Sequence, residues 1–383
     1  MTAVGAATDA PTAATASTAA ALDTSGLTPQ SKAIADALLA KLPADWQEHL
    51  HAAAARYDIN DSQLAQIRNG VINPADYQCQ TSGLTTYVQG LVAKAQNPYI
   101  VYQLAGVFDL PGYEAMLFGS ESKSNRFGVN GEYTQQFTSE MKDLKNFWDI
   151  SSDDIQLVPM HGADLFSSPE RLARLVERLY GAPAENSLDV AKLIIQLIDS
   201  EPSLEQGASP LFSLNAFAYS ESDEPQPMGV SDRIVVGDGV LQAVEALGLA
   251  DTAPRAILAH EFGHHVQFED GLLRNTTLTG PEGSRRAELM ADAFGTYYLT
   301  HSRGEALNAK RVLGSEKSFY EVGDCGYTSP GHHGTPNQRF AASSWGASIA
   351  DGAANQGHVL PSLKLDELFE AKLPDIVKPD TAG

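Results

Sequence analysis

The sequence predicts an α+β fold in which a mainly helical N-terminal region precedes a small sheet and a set of long helices. Apolar residues such as Leu38 and Leu42 recur at helical spacing within residues 28–112. Two short runs with strand character, at 211–219 and 233–236, are separated by an acidic loop that contains proline. Helical periodicity returns after the second run, and this order of elements is typical of an α+β protein.

The helices after the second predicted strand begin and end at recognisable signals. Residues 237–239 break the strand, and 240–247 form a short helix. Thr252 is a candidate N-cap, with Pro254 in the first turn of a helix that runs to about Glu269. Two further helices are predicted, over 281–301 and over 336–349.

The chain divides into three predicted regions. Residues 1–28 are a tail rich in alanine and threonine, with too few large apolar side chains to order itself. Region 29–205 is mainly helical and carries no recognisable chemistry, whereas region 206–383 carries the motifs described below. Within the helical region, one strand and two helices are predicted over 155–159, 168–180 and 188–199.

Charge and hydropathy exclude several classes of partner. The net charge of −22 over 383 residues argues against binding to nucleic acid or to an anionic membrane. No run of about 18 apolar residues occurs, so a soluble protein without membrane insertion is expected.

No signal peptide is recognisable at the N-terminus. The tail nevertheless resembles the spacer that follows a removed export signal, so export is favoured over a cytoplasmic location. Cys79 and Cys325 are too few for a cysteine metal site, and they pair as a disulfide or remain two thiols according to the compartment.

The pattern HEFGH at residues 260–264 is the main candidate for chemistry. Residues four apart lie on one face of a helix, so His260 and His264 can reach one metal ion. Glu261 lies about 100° round the helix, in the position of a base that acts on water at the metal. The alternative is a helix with two surface histidines, but the apolar setting at 256–259 argues against it. The opposite side should anchor the helix in the core through Leu258, Phe262 and Val266.

A catalytic zinc site usually has three protein ligands and one open position. The extended pattern HExxHxxGxxH is not met, because Gln267 and Asp270 stand where it needs glycine and histidine. Glu288 on the following helix is the predicted third ligand, and Asp292 one turn later is predicted to hydrogen-bond a histidine ligand. The alternative is an exposed acidic pair. His265 points about 100° away from His264 and is interpreted as a packing or hydrogen-bonding residue.

Residues 215–298 resemble the thermolysin-like, or gluzincin, zinc peptidases. Besides the HEFGH pattern, NAF at 215–217 is similar to the family's substrate-binding edge strand, and VVGDG at 235–239 to its partner strand and turn. The run ELMADAFGT at 288–296 resembles the third-ligand helix. Together with HHGTPNQR at 332–339, these motifs look closest to the predicted bacterial neutral zinc metallopeptidases, and they are also similar to HtpX-like peptidases.

The resemblance implies a gluzincin-type fold in which a zinc helix lies between a small edge-strand sheet and a helical second lobe. It implies one Zn²⁺ per chain, Glu261 as the catalytic base, and a peptide or protein substrate that binds along Asn215 and Ala216. The family's tyrosine that assists the oxyanion after the zinc helix has no counterpart in GLLR at 271–274. We assign that role to His333, with His332 and Tyr327 in the same loop as alternatives.

The sequence therefore predicts a zinc-dependent peptidase, a hydrolase. One alternative is a catalytically inactive zinc-binding protein, an adaptor or chaperone on the same scaffold. Another is a zinc hydrolase whose substrate is not a peptide. Substrate specificity, endopeptidase or exopeptidase action, oligomeric state and the role of 29–205 stay open.

Overall fold

A computed structural model describes residues 24–57, 82–222, 228–324, 332–352 and 357–378 of the chain. These residues form an α+β fold, mostly helical with one small sheet, so the predicted fold class is confirmed. Cys79, Cys325, Tyr327 and nearly all of the predicted tail lie outside the described residues. None of the described helices combines the length and the apolar character that a membrane span requires.

The N-terminal half is built mainly of helices, as predicted. Side chains cap several of them: Thr28 accepts a hydrogen bond from the Ser31 amide at 3.2 Å, and Ser82 accepts one from Thr85 at 3.2 Å. The helices are α1 (Pro29–Leu39), α2 (Trp46–Tyr57), α3 (Gly83–Val92), α4 (Pro98–Gln103), α5 (Ala105–Phe108), α6 (Leu110–Phe118), α7 (Thr134–Phe147), α8 (Gly162–Phe166), α9 (Pro169–Tyr180) and α10 (Ala184–Asp199).

Within the described part of the chain, the sheet contains three strands in the order β1 (Gln156–Met160), β3 (Arg233–Gly237) and β2 (Ala216–Tyr219). Strand β1 pairs parallel with β3, with Val158 opposite Val235, and β2 pairs antiparallel with β3, with Phe217 opposite Val235. Strand β1 precedes residue 206, so the two predicted regions share one sheet.

The strand prediction for 211–219 is wrong in its first half. Pro210–Ser213 is a short 3₁₀ helix, and the strand begins only at Ala216. The Gly239 amide donates to Ser213 Oγ at 2.9 Å, which holds this turn against the start of the next helix. Leu211 and Phe212 are apolar because they are buried in a helical turn, and a short apolar run does not distinguish that setting from a strand.

The second half contains the long helices that the sequence predicts, together with two that it does not. Thr335 and Gln338 form a reciprocal capping box, in which each backbone amide donates to the other side chain at 3.1 Å. The helices are α11 (Asp238–Ala246), α12 (Ala253–Glu269), α13 (Pro281–Thr300), α14 (Ala309–Val322), α15 (Pro336–Gly352) and α16 (Ser362–Ile376). Helices α14 and α16 are the two that were not predicted.

Two glycines let α12 and α13 cross at close range. A Cβ atom at Gly263 would lie 3.1 Å from the Ala291 backbone, and one at Gly295 would lie 3.1 Å from the backbone of Ala259 and His260. Because neither glycine has a side chain, the two helix backbones come close enough for α13 to present its carboxylates to the histidines of α12.

The buried side of α12 lies in a core that both halves of the chain build. Leu258, Phe262 and Val266 are fully buried in it, which confirms their predicted anchoring role. Helix α7 contributes Phe147 and α13 contributes Phe294 to the same cluster. A second cluster joins the helices of the N-terminal half.

Candidate metal centre

Helices α12 and α13 bring His260, His264 and Glu288 together at their crossing. His260 Nε2 lies 3.1 Å from His264 Nε2. The two Glu288 oxygens lie 3.4 Å from His260 Nε2 and 3.2 Å from His264 Nε2. Three potential ligand side chains therefore converge on one point.

These separations suit a tetrahedral metal ion. Ligands about 2.0–2.2 Å from such an ion lie about 3.3–3.6 Å apart, close to the three distances observed. Two imidazole nitrogens and a carboxylate are donors that zinc accepts. His260, Glu261 and His264 also offer ligand atoms that all lie within 4.8 Å of one another, so this group can hold a metal ion.

The outer nitrogens of both histidines face acceptors, so in the neutral imidazoles the proton lies on the outer nitrogen and the inner nitrogen is bare. His260 Nδ1 lies 2.9 Å from Asp292 Oδ1, and a carboxylate can only accept. Gln267 donates through Nε2 to the Ala287 carbonyl at 2.7 Å, so its Oε1 faces His264 Nδ1 at 3.1 Å. Two bare nitrogens that face each other at 3.1 Å repel unless a cation lies between them.

Arg339 is a component of this site that sequence reasoning missed. Its Nε and Nη2 donate to the two oxygens of Asp292 at 2.7 and 2.6 Å, and its Nη1 lies 3.5 Å from Glu288. The guanidinium is buried where α15 packs against α13. A fork of this kind fixes the plane of the Asp292 carboxylate and so its approach to His260. The signal was present in HHGTPNQR, which places an arginine one turn into a capped helix.

When no metal ion lies between these side chains, the charges around the site favour the ionised Glu288 carboxylate and the protonated His260. Burial alone would lower the pKa of His260, yet Asp292 and Glu288 raise it to about 9. Burial alone would raise the pKa of Glu288, but the neighbouring His333 and His264 hold it well below its usual range. The negative charge at this point attracts a cation, which can be either a proton or a metal ion.

Glu261 lies beside the three convergent side chains and is buried. Burial raises the pKa of its carboxyl, and His260 and His264 oppose that rise. A raised pKa makes a carboxylate a stronger base, which is the property that proton abstraction from water requires.

The loop before α15 places His333 in the same cleft. Asp324 accepts a hydrogen bond from the His333 amide at 2.7 Å and lies 3.2 Å from His333 Nδ1. The other Asp324 oxygen lies 2.7 Å from His332 Nδ1. His333 lines the cleft together with Glu261 and Glu288, whereas His332 does not line it. Asp324, which sequence reasoning did not single out, thus holds both histidines.

Asn215 and Ala216 line the cleft from the sheet side, and both are partly exposed. Asn215 precedes β2, and its carbonyl accepts a hydrogen bond from the Gly237 amide at 3.0 Å. His265 lies on the other side of α12, fully buried, with Nε2 3.1 Å from the Arg233 carbonyl. It is a packing and hydrogen-bonding residue, as predicted.

Comparison with known proteins finds no match: no protein-family model, curated protein or solved structure is similar enough to place this chain in a family. The resemblance to gluzincin peptidases therefore stays a prediction. The case for function depends on the geometry of the site.

Proposed function

We propose that this protein is a zinc-dependent peptidase of the gluzincin type. The observation that carries the proposal is the convergence of His260, His264 and Glu288 at tetrahedral ligand spacing, with the buried Glu261 beside them. Three ligands on one side of the proposed metal position leave its cleft side open for water and substrate.

A zinc ion held by these side chains would supply Lewis-acid polarisation of water and of a substrate carbonyl. Glu261 then takes a proton from the attacking water as the water oxygen adds to the carbonyl carbon. The same carboxyl passes that proton to the leaving amine nitrogen as the carbon–nitrogen bond breaks. His333 donates a hydrogen bond to the former carbonyl oxygen, where negative charge develops.

Strand β2 supports a peptide as the substrate. It lies at an edge of the sheet, with β3 as its only neighbour among the described strands. The edge is partly exposed and continues into Asn215 at the cleft. An extended peptide can add to such an edge through backbone hydrogen bonds, which bring its carbonyl groups past the metal ligands.

The test combines metal content with a Glu261→Gln variant. We expect about one zinc per chain in both proteins, because Glu261 is not one of the three proposed ligands. Cleavage of a casein-type substrate should fall on the order of 100-fold or more in the variant.

The possible results separate the alternatives. Absence of any transition metal after dialysis against zinc would overturn the whole proposal. Zinc binding without cleavage of any peptide by the wild type would favour the inactive adaptor, or a hydrolase for another class of substrate. Equal cleavage by variant and wild type would remove Glu261 as the base.

A further inference from the structure

One end of the cleft beside His260 is apolar. The Phe319 ring of α14 lies 5.8 Å from the His260 ring, between centroids, and Ile257 lies one turn before His260 on α12. The apolar lining also includes Leu84, Leu214, Val244 and Val322. Five of these six residues come from the second half of the chain, and they line the same cleft as His260.

Leu84 is the exception, because it comes from α3 in the mainly helical N-terminal half. Leu84 is only 3% exposed although it lines the cleft, so its side chain closes the cleft wall at this point. The space beside it is tightly filled: a Cβ atom on Gly83 would lie 2.9 Å from Leu247 Cδ2. Helix α3 thus closes the apolar end of the cleft.

The start of α3 is fixed to α14 by a charged group. Glu321 accepts hydrogen bonds from the backbone amides of Gly83 and Leu84, the latter at 3.2 Å. These amides are the first donors of α3, where the helix dipole favours a carboxylate. Glu321 also lines the cleft, but its carboxylate already accepts hydrogen bonds from α3.

We propose that Leu84 is a specificity-determining residue, which limits the size of the apolar substrate side chain that this end of the cleft accepts. The inference rests on the proposed peptidase function. The occupant is the apolar side chain of a substrate residue next to the scissile bond. Removal of most of the Leu84 side chain makes room for a larger aromatic side chain in the same position.

The experiment uses the full chain, loaded with zinc, and a peptide series that differs only in the residue next to the scissile bond: alanine, leucine, phenylalanine or tryptophan. We expect the wild type to cleave the leucine peptide with a higher kcat/KM than the tryptophan peptide, because the wall at Leu84 is closely packed. In Leu84→Ala the ratio of kcat/KM for phenylalanine or tryptophan over leucine should rise about 10-fold or more, which is the lower end of the effect of a single methylene group in an apolar pocket. Leu84→Phe should shift the preference towards alanine.

Val88→Ala is the matched control, since Val88 is fully buried one turn later on α3 but does not line the cleft. It should lower stability without changing the ratio. An equal shift in both variants would show that loosening of α3 causes the effect, and would overturn the proposal. If Leu84→Ala does not fold, Leu84→Met replaces it in the comparison with Val88→Ala. The expected change in the kcat/KM ratio is then smaller.

The two proposals fail in different ways. No cleavage of any peptide by the zinc-loaded wild type contradicts the peptidase function itself. Cleavage of the whole series with no dependence on side-chain size, or with an unchanged ratio in Leu84→Ala, removes only the role of Leu84.

Discussion

Arg339 donates to both carboxylate oxygens of Asp292, at 2.7 and 2.6 Å, and Asp292 in turn lies 2.9 Å from His260 Nδ1. The chain of contacts runs from α15 through α13 to the proposed metal ligand on α12. Orientation of the His260 ring therefore depends on a residue 47 positions away from Asp292.

This relationship predicts that Asp292→Ala weakens zinc binding by about 10–100-fold, because the His260 ring loses the acceptor that fixes it. Competition with a chelator measures the affinity. Asp292→Asn is the comparison variant, since it keeps the size of the side chain. Unchanged affinity in the alanine variant, with the fold intact by circular dichroism, would show that Asp292 has no role at the metal.

His264 and His265 lie on different faces of α12, so their substitutions should have different effects. His264→Ala should release zinc, because His264 Nε2 is one of the three converging groups. His265→Ala should retain zinc and lower stability, because His265 is fully buried against the Arg233 carbonyl. Metal analysis and thermal unfolding of both proteins distinguish the two roles, and the reverse pattern would refute the assignment.

The close helix crossing predicts that Gly295→Ala is destabilising. The added Cβ would lie 3.1 Å from the backbone of Ala259 and His260, so the helices must separate. We expect a loss of about 1–3 kcal/mol in the free energy of unfolding, together with weaker zinc binding.

Gly90→Ala is the control for this prediction, since a Cβ there meets nothing within 4 Å. It should leave stability equal or raise it by about 0.5–1 kcal/mol, because alanine favours the helix. Equal stability of Gly295→Ala and wild type in denaturant unfolding would refute the close-packing argument.

His333→Ala should lower kcat with little change in KM, provided that His333 donates its hydrogen bond only as charge develops on the substrate oxygen. Loss of one such donor costs about 2.7–4 kcal/mol in the barrier. Steady-state kinetics on a single peptide measures both constants. A rise in KM with unchanged kcat would instead assign His333 to substrate binding.

Buried Glu140 predicts a pH-dependent stability. Its side chain is fully buried, Arg255 Nη1 lies 3.9 Å away, and that nitrogen also donates to Glu305 at 2.7 Å. Burial raises the pKa of Glu140 well above its usual range, and Glu305 and Asp143 add to that effect against Arg255. The contribution of Glu140 to stability is therefore fully present below its pKa in the unfolded chain. That contribution is lost as the pH rises through its pKa in the folded protein.

Glu140→Gln removes this titration. The variant should therefore be more stable than wild type at about pH 8, by at least about 1 kcal/mol, and the difference should shrink towards about pH 4. Urea unfolding at both pH values measures it. Glu121→Gln, at an exposed loop position, should differ little from wild type at either pH.

The features that could be predicted from the sequence are those set by local geometry. Spacing of four residues on a helix was enough to place His260 with His264 and Glu288 with Asp292, and prolines at positions 281 and 336 marked the starts of α13 and α15. Thr252 does precede α12, as predicted, but its side chain makes no capping hydrogen bond. Arg339 could not be assigned in this way, because its pairing depends on how α15 crosses α13. The same holds for Leu84, which reaches the cleft through packing between distant segments.

Pairing of β1 with β3 has a consequence for any attempt to shorten the protein. A fragment that begins at residue 206 would lack β1, so one whole side of β3 would present unpaired amides and carbonyls. It would also lack α7, which covers part of the core beneath α12. Such a fragment is expected to aggregate through its bare strand, whereas one that begins before Thr134 keeps both the strand and its covering helix.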